Sequence, residues 1–283
     1  MSLRDIGDFF ARHELTRDDR LGAWVRFASW QFRSRLQNEL VVPWIGGQRL
    51  LVRRGMMGAT GNIYAGLHEF PEMMLLLHLL RPGDMFLDVG ANVGSYAVLA
   101  SGVCHARTIA FEPDPTTAAA LRRNVAINHL DELVTVYEAA VGNVERMVPF
   151  TVGLDTINKV AQPGETGTRM VRQCRLDDVA SADNPIMVKI DIEGYEEAAL
   201  DGAHVLLAKL SLKAIEIETV TERVRTLLQN HGFFQADYDP WTRRLQASCK
   251  AVCTNNTLYI RDLEFVEARL KTAPSVAVLG RLI

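Results

Sequence analysis

The chain has 283 residues, 48% apolar, 23% charged and 7% aromatic, the length of one large α/β domain with an added cap or of two small domains. The apolar share excludes general disorder, and a formal charge of −3 is a poor footprint for gripping nucleic acid. The longest apolar stretch, Met73 to Leu80, is interrupted by His78 and falls far short of the roughly 20 residues of a membrane span. The opening MSLRDIGDFF lacks a signal-peptide pattern, so a soluble, cytoplasmic protein with neither a membrane nor a nucleic-acid partner is expected.

Charge divides unevenly. Residues 1–54 hold ten Arg and six acids, a net +4, which leaves −7 for the remainder. Within this segment Leu21 to Leu40 has the period of an amphipathic helix. Trp24, Phe27, Ala28, Gln31 and Phe32 fall toward one face, with Arg26, Arg33 and Arg35 largely off it. A cap helix with a solvated basic face is expected, an acidic partner or ligand being the alternative. A short hairpin follows over Val41–Gly47 and Leu50–Val52, then a Gly-rich loop from Gly55 to Gly66, then a helix from Pro71 to Leu80.

From Gly83 the pattern alternates between β and α. Met85–Val89 is a short apolar run, Gly94–Ser101 is helical, Thr108–Phe111 a strand, Pro115–Asn128 a helix and Val134–Val136 a strand. Arg146–Val152 and Arg169–Arg175 alternate like an inserted antiparallel pair. Ile186–Ile190, a helix from Tyr195 to Leu207, and Ala214–Ile217 repeat the strand and helix unit. A helix over Glu222–His231, a strand over Phe233–Tyr238, a turn at Asp239-Pro240, a strand over Thr257–Ile260 and a helix over Arg261–Lys271 complete the chain. Strands alternating with helices imply an α/β fold with a parallel sheet covered on both faces. The expected division is an N-terminal cap over residues 1–70 and a main domain over 71–283, with an antiparallel insertion near 144–176.

Cys104, Cys174, Cys249 and Cys253 are scattered without a C-x-x-C, so no metal site is expected; Cys249 and Cys253 alone do not make one. The sequon at Asn255 matters only in a secreted protein.

The chemistry concentrates in three stretches. Phe86-Leu87-Asp88-Val89-Gly90-Ala91-Asn92-Val93-Gly94-Ser95 sits where the first strand of the main domain turns into a helix, where parallel sheets place ligands. Asn92 and Ser95 break the dinucleotide fingerprint, and no Gly-Lys-Ser/Thr follows. What remains is an acid before a glycine turn, with Gly90 and Gly94 permitting close backbone approach. The next strand ends Ala110-Phe111-Glu112-Pro113-Asp114, so Glu112 can accept both hydroxyls of a ribose. Asp114 can cap the helix that Pro115 opens. An acid, a glycine turn and a second acid describe a nucleoside site without a phosphate cradle, which S-adenosylmethionine satisfies. The third stretch, Met187 to Glu196 (MVKIDIEGYE), brings Asp191 out of a buried strand into the same crevice, with Glu193 just beyond; a helix start stabilised by its dipole is the other reading of Glu193 and Glu196.

Taken together these stretches resemble the FkbM family of S-adenosylmethionine-dependent methyltransferases. The likeness runs from Tyr64-Ala65-Gly66-Leu67-His68-Glu69 through LDVGANVGSY, AFEPDP, EAAVGN, Leu176-Asp177-Asp178, KIDIEGYE and Asp201-Gly202-Ala203 to Ile215-Glu216-Ile217-Glu218, in order over some 200 residues. The family's turn carries Asn at the place of Asn92. The resemblance implies a Rossmann-like seven-stranded methyltransferase sheet with its last strand antiparallel, beneath the N-terminal helical and hairpin cap. It also implies O-methylation of a small-molecule hydroxyl, on a sugar, glycoside or polyketide. By position, Asp88, Gly90, Asn92 and Gly94 would hold the methionine part and Glu112 the ribose. Ala140 and its neighbours would line adenine, and Ala91, Ser95, Pro113 and Asp191 would complete the cofactor site.

An alkyl hydroxyl is a weak nucleophile at neutral pH, so a general base is expected. Asp191 is the first candidate, followed by Glu193, His68 and Glu69. Asp191 and Glu193 holding Mg²⁺ is the alternative. Asp155 and Asn158 could touch the acceptor. A nicotinamide oxidoreductase would need the missing G-x-G-x-x-G, and a nucleic-acid methyltransferase a Pro-Pro-aromatic motif after the strand that ends at Ile190. A non-catalytic nucleoside-binding module is the remaining competitor. Trp24, Trp30 and Trp44 are expected to cover the active site, a homo-oligomer seam being the alternative.

Overall fold

The computed structural model describes residues 2–153, 158–162, 164–248 and 256–283. The chain opens with two helices, α1 (Leu3–Arg12) and α2 (Arg20–Leu36), and a hairpin of β1 (Glu39–Pro43) and β2 (Arg49–Arg53) paired in register Val41↔Leu51. The face expected of α2 is rotated. Ala23, Phe27, Trp30 and Ser34 are buried, whereas Ala28 and Phe32, expected on the packed side, are exposed. Asn38 onward is not helical, because Glu39 and Leu40 join the hairpin.

The expected loop at Gly55–Gly66 is a helix, α3 (Met57–Ala65). Its glycines serve packing instead of breaking the chain: a Cβ on Gly61 would come 2.4 Å from His68 Nδ1, and Gly66, at φ +81°, terminates the helix. Next, α4 (Phe70–Leu79) starts with Pro71 in its first turn, and every residue from Met73 to Leu79 is buried, the mark of a helix enclosed all round.

The main sheet begins with β3 (Met85–Val89), whose five residues are all buried, as in a strand covered on both faces. The short α5 (Ser95–Val98) continues as a π turn over Leu99–Val103 before β4 (Arg107–Phe111), α6 (Pro115–Ile127) and β5 (Val134–Tyr137). Asp114 caps α6 by accepting from the Thr117 amide at 2.8 Å, as its place before Pro115 predicts. An inserted three-stranded sheet follows: β6 (Ala140–Val141), β7 (Arg146–Thr151) and β8 (Thr168–Cys174), with β7 and β8 antiparallel as expected.

After α7 (Leu176–Ala180) comes β9 (Pro185–Ile190), then two helices, α8 (Glu196–Asp201) and α9 (His204–Ala208), in place of the single helix expected. The break has a local cause. A Cβ on Gly202 would lie 2.1 Å from the Gly142 carbonyl oxygen, and the Asp177 carboxylate caps α9 by accepting from the Val205 and Leu206 amides, each at 3.0 Å. The chain closes with β10 (Ala214–Ile217), α10 (Glu222–Asn230), β11 (Phe234–Asp239), β12 (Arg244–Ala247), β13 (Thr257–Ile260), α11 (Leu263–Lys271) and a small pair, β14 (Ala277–Val278) and β15 (Arg281–Leu282).

Strand order in the large sheet is β12-β11-β13-β10-β9-β3-β4-β5. The methyltransferase sheet of seven strands is present with β13 antiparallel to β10, and β12 adds an eighth strand at the edge. Along β3 the side chains alternate between two cores: Phe86 packs with α4 and α11, and Leu87 and Val89 with α8, α9 and α10. The order reverses between β3 and β9, and the crevice beyond their carboxyl ends is where such sheets hold ligands. No helix of the described residues is long and apolar enough to cross a membrane. The Cys249, Cys253, Asn255 and Asp155 expectations lie outside the described residues.

Candidate active site

The turn after β3 is built by conformation. Gly90 has φ +85° and its missing Cβ would lie 1.9 Å from the Asp191 carbonyl oxygen, so the β3 and β9 ends touch and only glycine fits. The Gly90 and Ala91 amides donate to the Phe111 carbonyl. Asn92 also takes a left-handed φ, +50°, which asparagine tolerates better than most residues. Its Oδ1 accepts from the Val93 amide at 2.7 Å. Gly94 (φ +87°) lies against Leu121, and the Ser95 hydroxyl accepts from Asn62 Nδ2 at 3.3 Å. That contact ties the turn to α3 of the cap.

Glu112 is buried at the end of β4. One of its oxygens accepts from the Asn92 amide at 3.0 Å and the other from the Asp114 amide at 2.9 Å. Each oxygen keeps lone-pair capacity for a hydroxyl donor. Burial pushes its carboxyl up to about 8 against those two amides. Beside it lies a slot of about 50 Å³ whose walls include Pro113, Ala140, Phe150, Asn158 and Ile192. Phe150 and Ala140 come from β7 and β6, so the inserted sheet forms one wall.

A larger cavity of about 560 Å³ adjoins the other side of the turn. Asp88, Gly90, Ala91, Asn92 and Ser95 line it from the sheet, Phe9, Phe27, Gln31 and Tyr64 from the cap, and His68, Glu69, Asp191 and Glu193 between them. The sequence-predicted residues thus divide into two adjoining spaces, with Asp191 facing both. Gly94 lines neither and shapes the turn from below. Asp88 Oδ2 is buried without a partner among the described residues, and burial pushes its carboxyl up to about 7, opposed by Lys189.

Two residues that sequence reasoning missed organise this cavity. Lys189, the penultimate residue of β9, is buried, pairs with Asp191 and sits 4.8 Å over the Tyr96 ring. Burial disfavours its charge, but Asp191, Glu69, Glu216 and Asp88 around it raise its pKa. Burial would likewise raise Asp191, and Lys189 reverses that and holds it low. Glu218, just past β10, hydrogen-bonds to Asp191, and its Oε2 has no partner among the described residues. Burial, then the Asp191 and Glu193 charges, push it up to about 7. The register Ile217↔Ile190 brings Glu218 level with Asp191; an acid at the end of the next parallel strand was the available signal.

The remaining base candidates have distinct surroundings. His68 Nδ1 is buried without a partner among the described residues, and burial lowers its pKa against the neighbouring Glu69. Its amide donates to Asn62 Oδ1 at 2.8 Å. Glu193 (φ +53°) is partly open, and burial and Asp191 raise it. Glu69 also borders a second opening with Asp5, Asp8, Glu14 and Glu72, where burial pushes Glu72 up to about 7. Among the described residues no group of three or more His, Cys, Asp or Glu is arranged to hold a metal ion. Of the three tryptophans, Trp30 is buried in the cap, Trp24 stacks edge-on with Phe10 and Phe27, and Trp44 donates to the Gly66 carbonyl at 2.6 Å.

Comparison with known proteins adds to this geometry. The methyltransferase FkbM domain matches residues 88–234, just over half of the chain. A hexuronic acid methyltransferase of Haloferax volcanii is 28% identical over 151 residues, covering 53% of this chain and 62% of that protein. The 31-O-demethyl-FK506 methyltransferase of Streptomyces tacrolimicus is 29% identical over 202 residues, covering 57% of this chain and 77% of that one. The match thus spans about three-fifths of the hexuronic acid enzyme. Among solved structures, TYW2 of M. jannaschii in complex with AdoMet superposes with a TM-score of 0.45 at 15% identity, over 79% of this chain and 85% of that one.

Proposed function

The chain belongs to the FkbM family of S-adenosylmethionine-dependent methyltransferases, and from that premise we propose that it methylates a hydroxyl of a small, sugar-like acceptor. When bound, the cofactor supplies an electrophilic methyl group on a sulfonium. The residues present suit it. The unpartnered oxygen of Asp88 would meet its cationic amine, Glu112 would meet its ribose hydroxyls, and Ala140, Phe150 and Ile192 would flank its flat ring. Gly90, Ala91, Asn92 and Ser95 supply the close backbone approach between them.

One observation carries the reading: a single cavity contains both the Asp88 carboxyl and the Asp191 and Glu218 pair. Lys189 keeps Asp191 ionised, and burial, with the Asp191 charge beside it, keeps Glu218 proton-hungry near neutral pH. The pair therefore suits taking the hydroxyl proton as the new carbon–oxygen bond forms. Its companion task would be to orient the acceptor hydroxyl toward the bound methyl group. Asp191 thus acts with Glu218, and not as an isolated base.

Phe9, Phe27 and Tyr64 offer apolar ring faces to the C–H faces of a sugar, while the surrounding carboxyls accept from its hydroxyls. Glu69, Glu193 and Glu218, together with the acids of the second opening, favour an uncharged or cationic acceptor over an anionic one. The relative named for hexuronic acid supports sugar as the class. Cys104 and Cys174 are buried free thiols, which supports a reducing, cytoplasmic setting. The test is methyl-donor turnover on neutral glycosides, amino sugars, uronates and polyketide alcohols. Turnover on neutral or amino sugars is expected; transfer only to nitrogen or to protein would refute the proposal.

A further inference from the structure

Helix α2 has two apolar faces, and the fold uses one of them. Ala23, Phe27, Trp30 and Ser34 are buried, and Phe27 and Gln31 reach the large cavity. On the opposite side Leu21, Val25, Phe32 and Leu36 are 58–78% exposed, with Ala28 exposed between them. At about 100° per residue these five fall within an arc of about 80°. The row runs about 22 Å along the helix at about 1.5 Å per residue. Single exposed apolar residues need no explanation, but a continuous row does.

The charges beside the row decide what it fits. The helix contains Arg20, Arg26, Arg33 and Arg35 and no acid. Arg33 and Arg35 are exposed on its two edges, and Arg35 donates to the neutral carbonyl and side-chain oxygens of Gln31. The acids that precede the helix are engaged: Asp19 accepts from the Gly22 amide and pairs with Arg26 at 3.4 Å, and Asp18 lies 3.7 Å from Arg281. A second copy seated on the row would set these basic edges against their own like, with no acid on the helix to pair them.

We propose that α2 docks the protein on an anionic lipid surface, with Leu21, Val25, Phe32 and Leu36 at the acyl boundary and Arg33 and Arg35 among the headgroups. Docking of this kind lies in the interface plane and needs no spanning helix. Because the inner face of α2 lines the large cavity, seating would leave only the width of that helix, about 10 Å, between cavity and lipid. The inference is independent of the acceptor chemistry.

Co-sedimentation of the full chain with phosphatidylcholine–phosphatidylglycerol vesicles, against phosphatidylcholine alone, tests it. Binding is expected on the mixed vesicles and should weaken with added salt. Arg33→Gln with Arg35→Gln should lower it about 30-fold, about fivefold per charge. Phe32→Glu with Leu36→Glu should abolish it and leave S-adenosylhomocysteine binding unchanged, since both side chains face away from the fold. Equal or absent binding on the two vesicle types, or full binding by the double glutamate variant, would overturn the proposal. A dimeric mass in light scattering that the glutamates reduce to monomer, without vesicle binding, would overturn it in favour of a second copy.

Discussion

Replacing Asp88 with Asn keeps the shape of a side chain buried in β3 and removes its capacity for charge. In the free protein burial, opposed by Lys189, sets this carboxyl at about 7. A cationic amine binds the anion and not the neutral acid, so ligand binding should lower that pKa and release a proton. Affinity for S-adenosylhomocysteine should then rise with pH up to about 7 and flatten above it. Each pH unit below that point costs up to tenfold, about 1.4 kcal/mol, or about a hundredfold between the plateau and about pH 5. Asp88→Asn should bind weakly and with a shallower slope, keeping only what Glu112, pushed up to about 8, contributes. Titration calorimetry in two buffers of different ionisation enthalpy reads both the affinity and the released proton. A wild-type affinity that is flat across this range, or an Asn variant with the wild-type slope, would refute the assignment; the second result would move the titration to Glu112.

Further consequences follow from the same groups. Glu218→Gln should lower kcat about 100-fold, within the usual range for a lost general base, with little change in S-adenosylhomocysteine affinity; equal loss of both would demote Glu218 to a structural residue. The wild-type kcat/KM should rise with pH through about 7, where Glu218 gives up its proton, and Glu218→Gln should lose that limb. Asp191→Asn removes the ion-pair partner of the buried Lys189 and leaves only Glu69, Glu216 and Asp88 to offset its charge, so thermal melting should show a lower Tm than for Glu218→Gln. The free protein should lose stability as pH rises from about 6.5 to about 8, above the range in which His13 and His78, held down to about 4 by burial, titrate in the unfolded chain, because an unfolded chain ionises its carboxyls near 4 while the folded one keeps Asp88 and Glu112 protonated to about 7 and 8. A Tm that rises over this interval would show that these carboxyls are not raised.

The sites legible in the sequence are those whose signal is local. Asp114 before Pro115 announced its cap, and the acid-glycine run from Asp88 to Gly94 announced a tight turn at the end of the first main-sheet strand, because a few adjacent residues fix those conformations. Gly55–Gly66 misled for the same reason: glycine frequency argues for a loop, whereas Gly61 is needed because the His68 ring, from beyond the end of α3, packs against it. The split of the helix near Gly202 likewise depends on Gly142 and Asp177, distant in sequence and close only after folding.

By itself, then, the sequence determined the strand and helix alternation, the turn after Met85–Val89, the acids at Asp88, Glu112 and Asp191, and the family those motifs belong to. Only the tertiary structure decided that Lys189 pairs with Asp191 and that Glu218 carries the raised pKa beside it. It also decided that the cap supplies the aromatic wall and that the outer row of α2 stays uncovered. The reason is physical: a backbone turn is set by its own residues, whereas the charge state of a carboxyl and the burial of a helix face are set by whatever strand order and packing bring next to them.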